Sequence, residues 1–259
     1  MDTLAIITVF SVVFQIGMLV CGILFSYRLI GKREQSLPSV FFTFALVSWL
    51  LADLYWLAYD ILRPDTRMPF AANEFGEWAI FLMILAGLNS MYRRRNTRPG
   101  TDTLLAGFFM ACNVALWIGW SGEWLEDVIT GLVLGALVCT LVRELMEEKV
   151  YSGRMWAGIA CVCGVLILMQ SAIFFAPGRI GRILDLCCYL VLFSGIAFFC
   201  IGAMRKHSYL LALTGFSWIR ISMYMSEGIP YLIMFFIDSL FVIVLVRSFR
   251  REVMTDDLR

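Results

Sequence analysis

The chain reads as a series of apolar runs separated by short polar turns. Each run is about 16–23 residues long, and about 20 residues at 1.5 Å rise cross a bilayer core. The first runs from Leu4 to Phe25, the second from Pro38 to Ile61, and the third from Asn73 to the arginines at 93–95. The fourth spans Thr103 to Trp120, and the fifth opens on Glu126 and Asp127. The sixth covers Met155 to Phe175, and the seventh extends from Arg182 to Ala203. The stretch from Tyr209 to Val246 is too long for one span, and Ser226-Glu227-Gly228-Ile229-Pro230 breaks it, so it divides into an eighth and a ninth helix. The eighth is short and carries Arg220, which leaves it the weakest candidate to span. The pattern predicts an all-α polytopic helical membrane protein: one N-terminal helix followed by four helical hairpins. Eight spans is the alternative count.

Turn chemistry supports these boundaries. Arg63-Pro64 stops the second helix, because proline disfavours helical geometry in the residue before it. Asn73 is a natural N-cap for the third. Pro177-Gly178 separates the sixth from the seventh. Gly131 and Gly135, four apart, predict close helix packing within the chain. Gly-Glu-Trp occurs at Gly76–Trp78 and again at Gly122–Trp124, which suggests a duplicated hairpin tip.

Composition agrees with the periodicity. The 259 residues are 61% hydrophobic and 16% charged, with a mean hydropathy of +0.82. Soluble domains average about 25% charged residues. The loops are too short for a soluble domain, so residues 1–259 are expected to form a single integral membrane domain without a kinase, nucleotide-binding or DNA-binding module. The eight cysteines fall inside apolar runs without a Cys-x-x-Cys, and the one histidine is His207, so neither a metal nor a disulfide framework is expected. No cofactor and no nucleic acid partner is expected either.

Basic residues alternate between loops. Arg28, Lys32 and Arg33, then Arg93–Arg95 and Arg98, then Arg143, Lys149 and Arg154, then Arg205 and Lys206, then Arg247, Arg250 and Arg251 make 15 of the 21. Cytoplasmic loops carry the excess Lys and Arg. The expectation is a cell-membrane protein with its N-terminus outside and retained as an anchor, and its C-terminus inside.

Candidate chemistry clusters between Trp49 and Phe81. Trp49, Asp53, Trp56 and Asp60 fall at i, i+4, i+7 and i+11 and share one helix face, with Tyr59 beside them. Glu74, Glu77, Trp78 and Phe81 share a face of the next helix. Arg220, Tyr224 and Glu227 form a third face, and Glu227, Tyr231, Met234 and Asp238 a fourth. Asp53 lies about 10 Å below Asp60, at hydrocarbon depth. A charge there costs at least ~2.5–3.5 kcal/mol and normally has a partner or a task. Arg220 is therefore expected to pair with Asp53 or Asp238.

Carboxylates framed by Trp and Tyr rings suit a small polar or cationic ligand, through charge pairing and cation–π contact. The expected site is an outward-facing pocket between helices two, three, eight and nine, serving a transporter-like or receptor-like protein. A receptor would need a protein partner at the basic inner loops. Two rival readings use the same residues. One is an intramembrane enzyme acting on a lipid or isoprenoid substrate, with Asp53 and Asp60 as acid–base groups. The other is a structural subunit whose polar residues only pair helices. Tyr59-Asp60 with Asp238 lacks the Gly-x-Gly-Asp motif of intramembrane aspartyl proteases, and Glu147-Glu148 lacks the histidines of a metalloprotease.

Overall fold

A computed structural model describes residues 3–30, 36–62, 72–92, 100–176 and 178–256. Among them are nine helices and no strand: α1 (Thr3–Tyr27), α2 (Ser36–Leu62), α3 (Ala72–Met91), α4 (Thr101–Ser121), α5 (Trp124–Glu147), α6 (Gly153–Ile173), α7 (Gly178–Lys206), α8 (Tyr209–Tyr224) and α9 (Gly228–Asp256). Seven are long and apolar enough to cross a membrane. The two that are not are α3, which carries Glu74 and Glu77, and α8, whose 16 residues measure about 24 Å against a core of about 30 Å.

The helices divide into two compact units. Residues 1–95 and 226–259 form the first, which holds α1, α2, α3 and α9; residues 96–225 form the second, with α4 to α8.

In the first unit α1 packs on both α2 and α9, and α2 pairs closely with α3. Small residues make these approaches possible. A methyl group on Gly76 would lie 2.7 Å from the Ala52 Cβ, so α2 and α3 touch nearly backbone to backbone. On α1, Gly22 faces Val242 and Val246 of α9 and Leu46 of α2. Thr43 Oγ1 donates to Ser26 Oγ at 3.0 Å between α2 and α1. Phe14 stacks on Phe236 with ring centres 5.0 Å apart, and Phe42 on Phe249 at 4.2 Å.

In the second unit α4 and α5 form a hairpin around Gly122, whose φ of +75° is the left-handed geometry glycine adopts at helix C-termini. Glu123 N and the Asp127 carboxylate both engage Ser121 Oγ, at 2.9 and 2.6 Å. Gly131 and Gly135 meet Val114 and Met110 of α4, which is the intrachain packing their spacing predicts. Most of α8 is buried, packed on α7 and α5. Trp218 crosses to α7, donating Nε1–H to the Leu192 carbonyl at 3.0 Å over the bare backbone of Gly195.

Several boundaries differ from those the sequence predicts. Asn73 falls in the first turn of α3 rather than capping it. α9 continues about ten residues beyond Val246, because Arg, Glu and Met are good helix formers and leaving the hydrocarbon layer is no reason to unwind. The two Gly-Glu-Trp tripeptides are not structurally equivalent. Gly76–Trp78 lies within α3, whereas Gly122 and Glu123 form the α4–α5 turn. The predicted stop at Arg63-Pro64, the arginines 93–95 and Pro177 all lie outside the described residues. Of the cysteines, Cys188 is buried, while Cys21 and Cys161 are exposed.

Candidate functional site

Gln15 and Trp49 assemble the centre of the first unit's polar face. Gln15 sits midway along α1 with no exposed surface. An amide buried there needs partners, and α2 supplies them. With the amide oriented as its neighbours require, nitrogen toward the carboxylate, Gln15 Nε2 donates to Asp53 Oδ2 at 3.2 Å and Gln15 Oε1 accepts from Trp49 Nε1 at 3.3 Å. The bridge joins two of the predicted site residues, one α-helical turn apart on α2. Trp49 is 2% exposed, so this indole belongs to the core. Asp53, Trp56 and Tyr59 are half-buried, and the Tyr59 ring lies 6.3 Å from that of Tyr55. The Asp60 side chain lies outside the described residues.

On α3, Glu74 and Glu77 are half-buried in the first two turns, and Trp78 is buried with its ring edge-on to Phe75 at 5.2 Å. Carboxylates in a first helical turn interact favourably with the helix dipole, which gives Glu74 a structural role independent of any ligand. On α9, Asp238 has no exposed surface, a depth at which a carboxylate is held by its neighbours. Glu227, just before α9, is exposed, and Tyr231 is about one-third exposed, at 37%.

Arg220 and Tyr224 belong to α8 and hence to the second unit. The expected pairing of Arg220 with Asp53 or Asp238 therefore joins residues of different units. Arg220 is 5% exposed, and its guanidinium carbon lies 5.3 Å from the Phe216 ring centre, one turn back. Tyr224 packs on Trp117 of α4 at 4.9 Å. Of the aromatic cluster at the end of α4, only Trp117 is buried; Trp120 and Trp124 are 52% and 63% exposed, as suits an interfacial belt.

Gln15 is absent from the predicted site. Its signal was available: it is the longest polar side chain in the run from Leu4 to Phe25. A second missed feature is a cavity of about 290 Å³ inside the second unit, lined by residues of α4, α5, α6, α7 and α8 and by none of the predicted site residues.

The fold and these buried polar groups define a polytopic helical membrane protein. No family model, curated protein or solved structure matches the chain. Among the described residues no group of three or more His, Cys, Asp or Glu is arranged to hold a metal ion.

Proposed function

We propose that the protein sits in the cell membrane with its N-terminus outside, and binds a small organic cation or polar solute at the α2 face of Asp53, Trp56 and Tyr59. The role is transporter-like or receptor-like, and a receptor would pass its signal to a protein partner at the basic loops. The observation that carries the reading is the state of Asp53. It lies at hydrocarbon depth, yet it is half-buried and next to half-buried aromatic rings. A carboxylate that served only to lock helices would be expected to be sealed, as Asp238 is. The Gln15 bridge holds Oδ2 in place and so preorganises the carboxylate. The structural-subunit reading draws on the same bridge. The enzyme reading needs Asp53 and Asp60 as an acid–base pair, and the Asp60 side chain lies outside the described residues.

The test is a thermal-shift screen of wild type and Asp53→Asn against amines, quaternary ammonium compounds and polar osmolytes over a range of pH. A compound that stabilises wild type and not Asp53→Asn is the expected result. Trp56→Ala should then weaken binding by about 0.5–2 kcal/mol, the range of a cation–π contact. If both folded proteins respond alike to every compound, helix pairing is the better account of the face.

A further inference from the structure

Burial in the first unit is one-sided along the helix axes. Eight of the fifteen residues of α2 from Pro38 to Ala52 are buried, against none of the seven from Asp53 to Tyr59. On α9 three of the thirteen residues from Gly228 to Leu240 are buried, and six of the thirteen from Phe241 to Val253. Three of those six, Ser248, Phe249 and Val253, lie beyond Val246, where the hydrophobic run ends. The unit is therefore closed at the end away from Asp53 and loose at the end that carries it.

Two contacts tie α9 down at the closed end. Phe249 stacks on Phe42 of α2 with ring centres 4.2 Å apart. The Tyr92 hydroxyl, next to the end of α3, donates to Glu252 Oε1 at 3.1 Å. Six residues before Glu252, about 9 Å along the axis, α9 bears on α1. A methyl group on Gly22 would lie 3.0 Å from Val242 Cγ1 and 3.3 Å from Val246 Cγ2, so α9 rests on the bare backbone of α1. At its other end α9 begins at Gly228, where φ is +60° and a methyl group would meet nothing within 4 Å.

We propose that the Phe42–Phe249 stack and the Tyr92–Glu252 bond form the closed inner gate of the Asp53 site. The site stands open to the outside, and α9 is the lever that exchanges one opening for the other. A rigid helix turning on Gly22 moves its two ends in opposite senses. As the last turns of α9 leave Phe42 and Tyr92, residues 228–240 swing toward the Asp53 face and cover it. Both gate contacts break in that rotation without unwinding α9. The inference rests on the proposed ligand site, and it selects the transporter over the receptor. A receptor needs one opening, whereas alternating access needs an end that closes as the other opens.

The test reads which end of the site a membrane-impermeant maleimide reaches, in right-side-out and inside-out vesicles. Leu46→Cys, one turn inside Trp49 and buried, reports the inner end, and Trp56→Cys reports the outer. Labelled peptides are resolved by mass spectrometry, and a melting temperature in detergent checks that each variant is folded. With the gate intact, Trp56→Cys should react from outside and Leu46→Cys should be protected from inside. Tyr92→Phe removes one hydroxyl and should speed inner labelling by roughly tenfold or more, the shift expected when a hydrogen bond to a charged acceptor is lost. Adding Phe249→Ala should carry the equilibrium over, so that outer labelling slows as inner labelling rises. Inner labelling unchanged in folded Tyr92→Phe would overturn the gate and leave the ligand site standing. So would faster inner labelling with the outer rate untouched in the double variant, which is what simple loss of packing gives. No outer labelling of Trp56→Cys with the gate intact would overturn the outward-facing site itself, and the gate with it.

Discussion

Gln15 shows how a single side chain can set the character of a helix interface. In membranes, polar contacts between helices average ~0.6 kcal/mol and reach ~1.7. Gln15 makes two, so Gln15→Leu should cost about 1–3 kcal/mol in an SDS-unfolding titration. Most of that cost comes from removing a donor from the buried side of Asp53, so adding Asp53→Leu should restore part of it. A single mutant as stable as wild type would mean the bridge contributes nothing. Gly195 makes a similar point about space. A side chain there would run into the Trp218 indole and break its bond to Leu192. Gly195→Ala should therefore destabilise by about 1–3 kcal/mol, and much less on a Trp218→Leu background, as read by melting temperature in detergent.

At the scale of the element, α8 and α7 make the sharpest contrast. Both are apolar, but α8 is enclosed and α7 shows one side outward. Leu213 has no exposed surface, while Leu186 is 60% exposed. Leu213→Ala should cost about 2–5 kcal/mol and Leu186→Ala no more than about 0.5. Equal costs would mean that α8 is not enclosed as described. Hydropathy could not have drawn this distinction, because lipid and protein interior favour the same residues. What it could locate were the helices themselves: the runs, the break at Ser226–Pro230 and the acidic openings of α3 and α5 reappear in the structure, whereas α7 begins at Gly178 and leaves Asp185 beyond its first turn. The helix ends were harder to read, since Arg247 to Asp256 leaves the hydrophobic run without leaving the helix. The polar face was half legible. Trp49 and Asp53 share it as their spacing demands, but their partner sits 34 and 38 residues earlier on another helix, where no periodicity within α2 could point to it. The cavity left no periodic signal at all. It arises where several helices fail to fill a volume together, and Gly164 is the one residue type that hints at it.

At the scale of the molecule, the alternating basic loops make orientation a measurable quantity. A reporter active only in the cytoplasm should work when fused after Arg251 and fail when inserted after Glu123. Activity at Glu123 would reverse the proposed orientation and put the α2 face at the other membrane surface. A further consequence follows from α9 packing on α1. The first unit is built from residues 1–95 and 226–259, so its last helix is translated only after the whole second unit. At roughly 5–20 residues per second, the intervening 130 residues take about 7–26 s. For that time α1 to α3 wait in the bilayer with Gly22 and Phe14 uncovered, and lipid or an insertion chaperone must occupy the place of α9. The delay also suggests that α9 is a late, separable addition to its unit. Residues 1–225 and 226–259 made as two polypeptides in one cell should then assemble, and Tyr92 should recover its 3.1 Å hydrogen bond to Glu252 across the nick.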